Sequence, residues 1–221
     1  MIAALLLAAA AAQPSPALMV EAHVDLVSDY RFRGASLSGA GAAVQGAVDV
    51  SHASGLYAGV WATSLPRSLG SAEVDFSAGY AFELGETALS VGAVAYLYPS
   101  LRRSDYVEAV ASATRAVAGV ELTAAAAYAP DQANLDRDDI YLALDAEYPV
   151  GETGLALRAH AGSERGPFNL TRTKWDWSAG VAYAWRGATL SAAYVDTDEP
   201  AALDAEDIYA PTLVAAISFG F

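Results

Sequence analysis

The stretch TLVAAISFGF, residues 212–221, alternates. Leu213, Ala215, Ile217, Phe219 and Phe221 fall on one side of an extended chain, with Thr212, Ala216, Ser218 and Gly220 on the other and Val214 the single breach. An apolar strand with an unpaired edge templates aggregation unless something covers it. The expectation is that this strand pairs with the first strand of the chain and closes a barrel, with Phe221 facing lipid.

The same period of two runs back through the sequence. VEAHVDLVSDY (residues 20–30) sets Val20, Ala22, Val24 and Leu26 against Glu21, His23, Asp25 and Asp29; AEVDFSAGYAF (residues 72–82) sets Val74, Phe76, Ala78, Tyr80 and Phe82 against Glu73, Asp75, Ser77 and Gly79. DDIYLALDAEYP (residues 138–149) sets Ile140, Leu142, Leu144 and Ala146 against Asp139, Tyr141, Asp145 and Glu147. About twelve strands are predicted, near residues 20–30, 43–52, 56–64, 72–82, 87–97, 105–115, 119–128, 138–148, 154–162, 174–185, 188–195 and 211–221, with register least fixed in the Ala- and Gly-rich third, fifth and seventh. The links between them alternate, long ones such as RFRGASLSGAGA and SERGPFNLTRT with short ones such as HASG, ELGE, AVAG and RGA. Short turns at one end, long loops at the other and an even strand count describe an all-β, up-and-down antiparallel transmembrane barrel of the bacterial outer membrane. Aromatic residues near strand ends, among them Tyr80, Phe82, Tyr128, Tyr148, Trp175, Trp177, Tyr183, Trp185 and Tyr194, fit girdles at the two interfaces.

Composition agrees. Apolar residues make up 54% of the 221, but past the N-terminus they are dispersed rather than gathered into the roughly 20-residue run a membrane helix needs. There is no cysteine, which removes disulfide frameworks and thiolate metal sites, and the formal charge of −14 speaks against nucleic acid as a partner. The opening MIAALLLAAAAAQPSPA (residues 1–17) has an apolar run and small residues before a cleavage point after Ala12 or Ala17, but no basic n-region. Residues 1–19 are therefore expected to be a signal peptide and short leader, and residues 20–221 the barrel.

Residues 28–36 and 54–61 carry a resemblance to a known family. SDYRFRGAS and SGLYAGVW are similar to the opening signature of TorF-type outer-membrane porins of Gram-negative bacteria, through Ser28, Tyr30, Phe32, Arg33, Gly34 and Ser36 and then Ser54 to Trp61. The resemblance covers about the first quarter of the mature chain and implies a pore-forming barrel without a catalytic residue. Barrels of this class commonly end on an aromatic residue, so Phe219 and Phe221 resemble the signal read by the outer-membrane insertion machinery. For Arg31 and Arg33 two readings stand: one of them folds inward as a basic counterpart to an acidic lumen and sets a constriction, or they bind lipopolysaccharide phosphates or pair with Asp29.

Charged groups at the bilayer midplane cost on the order of 2–4 kcal/mol on the lipid face, so the ionisable face of each strand belongs to the lumen. That assigns Glu21, Asp25, Asp49, Glu73, Asp75, Glu108, Glu121, Asp139, Asp145, Glu147 and Asp176 to the pore lining, with Arg158 and Lys174 as the chief cations. The function expected is a small, cation-leaning channel for ions or small hydrophilic solutes, in contact with outer-membrane lipid and lipopolysaccharide and needing no cofactor. The alternative is a structural or adhesion barrel with a plugged lumen. A hydrolase is a weaker third reading: of His23, His52 and His160 only His160 sits suitably, with Ser163 just beyond it, but no carboxylate is placed to orient it and no nucleophile motif is present. DTDEPAALDAED (residues 196–207) is acidic, yet Pro200 and Ala201 replace the ligands of an EF-type calcium loop, and no metal site is assigned.

Overall fold

The computed structural model describes residues 17–101, 104–200, 202–204 and 206–221. The expected leader lies outside them except for Ala17, Leu18 and Met19. The described strands are β1 (Leu18–Val27), β2 (Arg31–Phe32), β3 (Ala35–Ser36), β4 (Ala43–His52), β5 (Leu56–Ser64), β6 (Ala72–Leu84) and β7 (Thr87–Leu97), followed by β8 (Tyr106–Val117), β9 (Val120–Ala129), β10 (Asp139–Pro149), β11 (Leu155–Arg165), β12 (Lys174–Trp185), β13 (Ala188–Thr197) and β14 (Thr212–Gly220). Twelve of them form one closed antiparallel barrel in sequence order, and β2–β3 is a separate two-stranded hairpin. The protein is an all-β, up-and-down transmembrane barrel, in which closure leaves no strand edge unpaired in the hydrocarbon.

Closure happens at the stretch that began the argument. β14 pairs with β1 through His23–Gly220 to Val27–Ala216, and the Phe221 and Ala22 backbones exchange hydrogen bonds of 2.8 and 3.2 Å. Ser28 extends the seam, its N–H donating to Ala215 O and its hydroxyl accepting from Ala215 N. Leu213, Phe219 and Phe221 are exposed on the outer surface.

The links sort as their lengths predict. Residues 53–55, 85–86, 118–119, 150–154 and 186–187 make short turns at one end, and residues 28–42, 65–71, 98–105, 130–138, 166–173 and 198–211 make loops at the other. Positive φ at both Ala118 and Gly119, and at both Arg186 and Gly187, is what tight two-residue hairpins with twisted strands require. Outward-facing Trp175, Trp177, Tyr128 and Tyr194 lie toward the loop end, and Tyr80, Phe82, Tyr148, Tyr183 and Trp185 toward the turn end. The charged side chains on the outer face, Arg115, Arg165 and Asp196, stand near strand ends rather than at mid-span.

Several strand boundaries differ from the sequence expectation by one to three residues, and three of the differences have a visible cause or consequence. The barrel begins at Leu18, two residues early, because Leu18 and Met19 pair with His52 and Ser51. β1 stops at Val27 rather than Tyr30, since the chain leaves the wall at Ser28 and turns into the lumen. β11 runs on to Arg165 instead of ending at residue 162, which carries Glu164 onto the inner face beside Gly162 and His160.

Candidate functional site

Residues 28–42 fold inside the barrel. Asp29, 4% exposed, starts the excursion: its carboxylate accepts from Arg31 Nε at 2.6 Å and from the hydroxyls of Ser36 at 2.6 Å and Ser38 at 2.8 Å. These bonds fold the segment back on itself, so Arg31 pairs with Ser36 and Phe32 with Ala35 across an Arg33–Gly34 turn. Both turn residues have positive φ, 48° and 83°, the requirement of a type I′ hairpin. Only glycine fits the second place, because a Cβ there would lie 2.3 Å from Thr197 Cγ2 on β13.

The hairpin crosses the lumen from wall to wall. At its base Tyr30 packs on inward-facing Trp61 of β5, with ring centroids 5.3 Å apart, in a cluster with Val27, Ala43 and Leu65. At its tip Arg33, 2% exposed, reaches Glu108 of β8 at 2.6 Å, Glu164 of β11 at 2.9 Å and Asp139 of β10 at 3.4 Å. Its guanidinium also lies 4.5 Å from the Tyr141 ring centroid and 4.7 Å from that of Phe32. Lys174 supplies a second buried cation, 2.5 Å from Glu164, and Tyr96 donates to Glu108. From the far side the last long loop pins the hairpin, as Arg31 donates to the carbonyls of Ile208 and Ala210 and Ser36 N–H to Ile208 O. A planar, multiply donating guanidinium suits a site that must satisfy several carboxylates at once.

The expected lining residues therefore divide into two groups. Glu73, Glu108, Asp139 and Asp176 are buried near the hairpin. Glu73 accepts from the hydroxyl of Tyr98, a loop residue whose ionisation is pushed far up by burial and then by the Glu73 charge, so it stays a donor. Asp75 stands two residues along β6 from Glu73 on the same face, half-buried. Toward the turn end lie Glu21, Asp49, Glu121, Asp145, Glu147 and Arg158, half-buried or exposed to the open lumen, with Glu147 and Arg158 paired at 2.7 Å, while half-buried Asp25 stands two residues before β1 leaves the wall. Asp49 lies across Gly59, and the Tyr57 ring lies across Gly79 and Gly92, so inward glycines are places where a neighbour's side chain lies flat on the wall.

The two arginines divide between the readings. Arg31 pairs with Asp29, Arg33 enters the acidic cluster, and neither faces the outer surface where lipopolysaccharide phosphates would lie. The expectation for His160 is corrected. Two carboxylates orient it, Asp145 at 2.7 Å from Nδ1 and Asp176 at 3.0 Å from Nε2, with the Tyr141 hydroxyl at 2.9 Å from Nε2; sequence separation hides partners that neighbouring strands bring together. Ser163 does not join them, because strand alternation turns it to the opposite face. In the acidic loop the carboxylates serve the backbone: Asp204 accepts from Ile208 N and Tyr209 N, and Glu199 from Leu170 N and Thr171 N. Among the described residues no group of three His, Cys, Asp or Glu side chains is arranged to hold a metal ion.

Glu164, Trp61 and Tyr96 belong to the site without having been singled out for it. Glu164 was legible from the parity of Arg158 and His160 had the strand been carried two residues further. Trp61 stood in the signature, but nothing local shows that its partner is Tyr30.

Solved structures with similar backbones include porins. The KdgM porin, in complex with disordered oligogalacturonate, superposes with a TM-score of 0.62 at 7% identity, covering 91% of this chain and 98% of that one. The NanC porin gives 0.62 at 10% identity, covering 92% and 99%. At such identities the likeness is one of fold, and with the closed barrel it points to an outer-membrane protein. No curated protein matches the sequence. The family described as "Bacterial protein of unknown function (Gcw_chp)" matches over residues 10–221, taking in the inward-folded hairpin, its carboxylate partners and the closing strand alike, and the chain belongs to that family.

Proposed function

We propose that the protein is a porin-like channel of the outer membrane, of the TorF type, small and cation-leaning, through which ions or small hydrophilic solutes pass a constriction set by Arg33. The observation that carries this reading is the lumen itself. A hairpin whose tip is held by one guanidinium spans the loop-end half, Asp25 stands near its base, and below it opens a chamber whose wall carries Glu21, Asp49, Glu121, Asp145 and Glu147 against Arg158. Carboxylates whose fields overlap in a narrow water path raise the local concentration of cations and repel anions. The TorF resemblance of residues 28–36 supports the reading, since those are the residues that build the constriction. The KdgM porin binds an acidic oligosaccharide; the surplus of carboxylates here favours a different, uncharged or cationic, solute.

The barrel's lipid face and aromatic girdles imply contact with outer-membrane lipid and lipopolysaccharide, and Phe219 and Phe221 imply delivery by the insertion machinery. No catalytic step is assigned, because His160 is engaged by two carboxylates and a tyrosine with no nucleophile beside it. The test is the reversal potential of the purified protein in a planar bilayer under a KCl gradient. A potential of the sign for cation preference, strong in dilute salt and weak near 1 M where the screening length falls to about 3 Å, is the expected result. The burial of Arg33, Glu108 and Glu164 favours one rival, a barrel closed by its hairpin and acting through its loops. Absence of any conductance would select it.

A further inference from the structure

Above the hairpin, at the loop end, lies a cavity of about 400 Å³. That is within the range of small-molecule sites. Its lining does not resemble the acidic chamber below. Phe32 and Leu37 of the inward segment form part of the lining, Leu69, Leu135, Phe168 and Ile208 come from four other loops, Tyr98, Tyr106 and Tyr209 add rings, and Ser104, Asn134, Glu164 and Lys174 are its polar members. Tyr106 of β8 is the informative member. It is 6% exposed, stacked on Tyr96 with centroids 4.5 Å apart and tilted against Phe168 at 5.1 Å, and its hydroxyl has no hydrogen-bond partner among the described residues. The neighbouring phenols are engaged, Tyr96 with Glu108, Tyr98 with Glu73 and Tyr209 with the Phe168 carbonyl. A phenol held in a buried ring stack with its hydroxyl unpaired at a mostly apolar cavity is a place for an acceptor on a ligand.

We infer that this vestibule is a binding site for a neutral molecule with a flat apolar body and one hydrogen-bond acceptor, which Tyr106 receives. Charge excludes the ionised relatives. Glu164 and Lys174, which touch the cavity, form an ion pair, and Glu164 also meets Arg33, while Glu108 and Asp139 leave the charges of the floor net negative among the described residues. An anion is repelled there, and a cation would lose its water against aromatic and aliphatic walls. Stacked and tilted rings favour an aromatic body. The site is independent of whether the barrel conducts, so its test needs no current.

The experiment is equilibrium dialysis of 2-acetylnaphthalene against the barrel in lipid nanodiscs, with empty nanodiscs as the baseline for lipid partition. The expected result is one saturable site per barrel. Tyr106→Phe, which keeps both ring stacks, is expected to weaken 2-acetylnaphthalene about threefold to tenfold, the worth of one hydrogen bond, and to leave 2-ethylnaphthalene unchanged. Leu69→Trp, which fills the cavity from a surface loop, is expected to abolish binding of both, and 2-naphthoate is expected to bind more weakly than the ketone. Uptake no greater than that of empty nanodiscs overturns the inference. So does an affinity for the ketone that Tyr106→Phe leaves unaltered, or naphthoate binding as tight as the ketone. Should Leu69→Trp fail to assemble, the wild-type isotherm and the Tyr106→Phe pair decide.

Discussion

Replacing Arg33 by Gln removes the one group that ties the inward hairpin to three strands of the far wall. Arg33 meets Glu108, Glu164 and Asp139 at 2.6, 2.9 and 3.4 Å, all nearly fully buried. Taking one partner out of a buried ionic cluster costs about 3–5 kcal/mol, because the remaining charges stay desolvated and uncompensated. At about 1.4 kcal/mol per tenfold, that shifts the balance between hairpin docked and hairpin displaced by a factor of roughly a hundred to a few thousand. Displacement lets water reach the carboxylates and is the cheapest relaxation open to the barrel, whose wall does not depend on the hairpin. The size of the effect follows from geometry. Strands about 4.8 Å apart, twelve in number and tilted about 40°, close a backbone cylinder about 24 Å across, and side chains reduce the lumen to about 14 Å. A hairpin about 10 Å thick with its side chains leaves a gap of about 4 Å at most, so its departure widens the conducting cross-section roughly tenfold. The assay is single-channel recording in planar bilayers, with heat-modifiable migration on gels to show that the barrel is intact. R33Q is expected to conduct several-fold more than wild type, with flicker as the hairpin returns, and R33K to fall between, since an ammonium cannot bridge the carboxylates as a guanidinium does. Wild-type conductance from a correctly assembled R33Q barrel would refute the latch.

Gly34→Ala is expected to resemble R33Q in its readout while keeping every charge, because the added Cβ would sit 2.3 Å from Thr197 Cγ2 at a φ of +83°; an unchanged conductance would show that the hairpin is not held as described. Asp25→Asn with Asp49→Asn is expected to reduce cation preference in dilute salt without lowering the yield of barrel, as neither carboxylate ties strands together; an unshifted reversal potential would remove these groups from the ion path. Deleting Phe221 takes away its two backbone hydrogen bonds to Ala22 and a large lipid-facing side chain worth about 1.5–3 kcal/mol, and is expected to lower the amount of assembled barrel in the outer membrane; wild-type levels would count against an insertion role. Protease added to intact cells is expected to cut within residues 166–173 and spare residues 150–154, and cleavage of the latter would invert the topology.

By itself the sequence determined the barrel. A period of two in almost every segment fixes which side chains meet lipid, since a one-residue slip would send Glu73 and Asp75 into hydrocarbon, and the alternation of link lengths fixes the order of strands and the end at which the loops gather. Those are local signals, and closure follows from them because a membrane tolerates no open edge. What residues 28–42 do was decided only by the tertiary structure. Ser28 to Ser36 reads locally as a polar, Gly-containing loop after a strand, and nothing within it says whether Arg33 goes out to lipopolysaccharide or in to carboxylates. The answer depends on Glu108, Asp139 and Glu164, which lie 75 to 131 residues away and come within reach of one another only when β8 to β11 stand side by side in a closed wall. His160 was misread for the same reason, its carboxylates lying on β10 and β12 to either side. Strand alternation assigns a side chain to the lumen, but which inward groups touch depends on shear and curvature, and those exist only once the cylinder has closed.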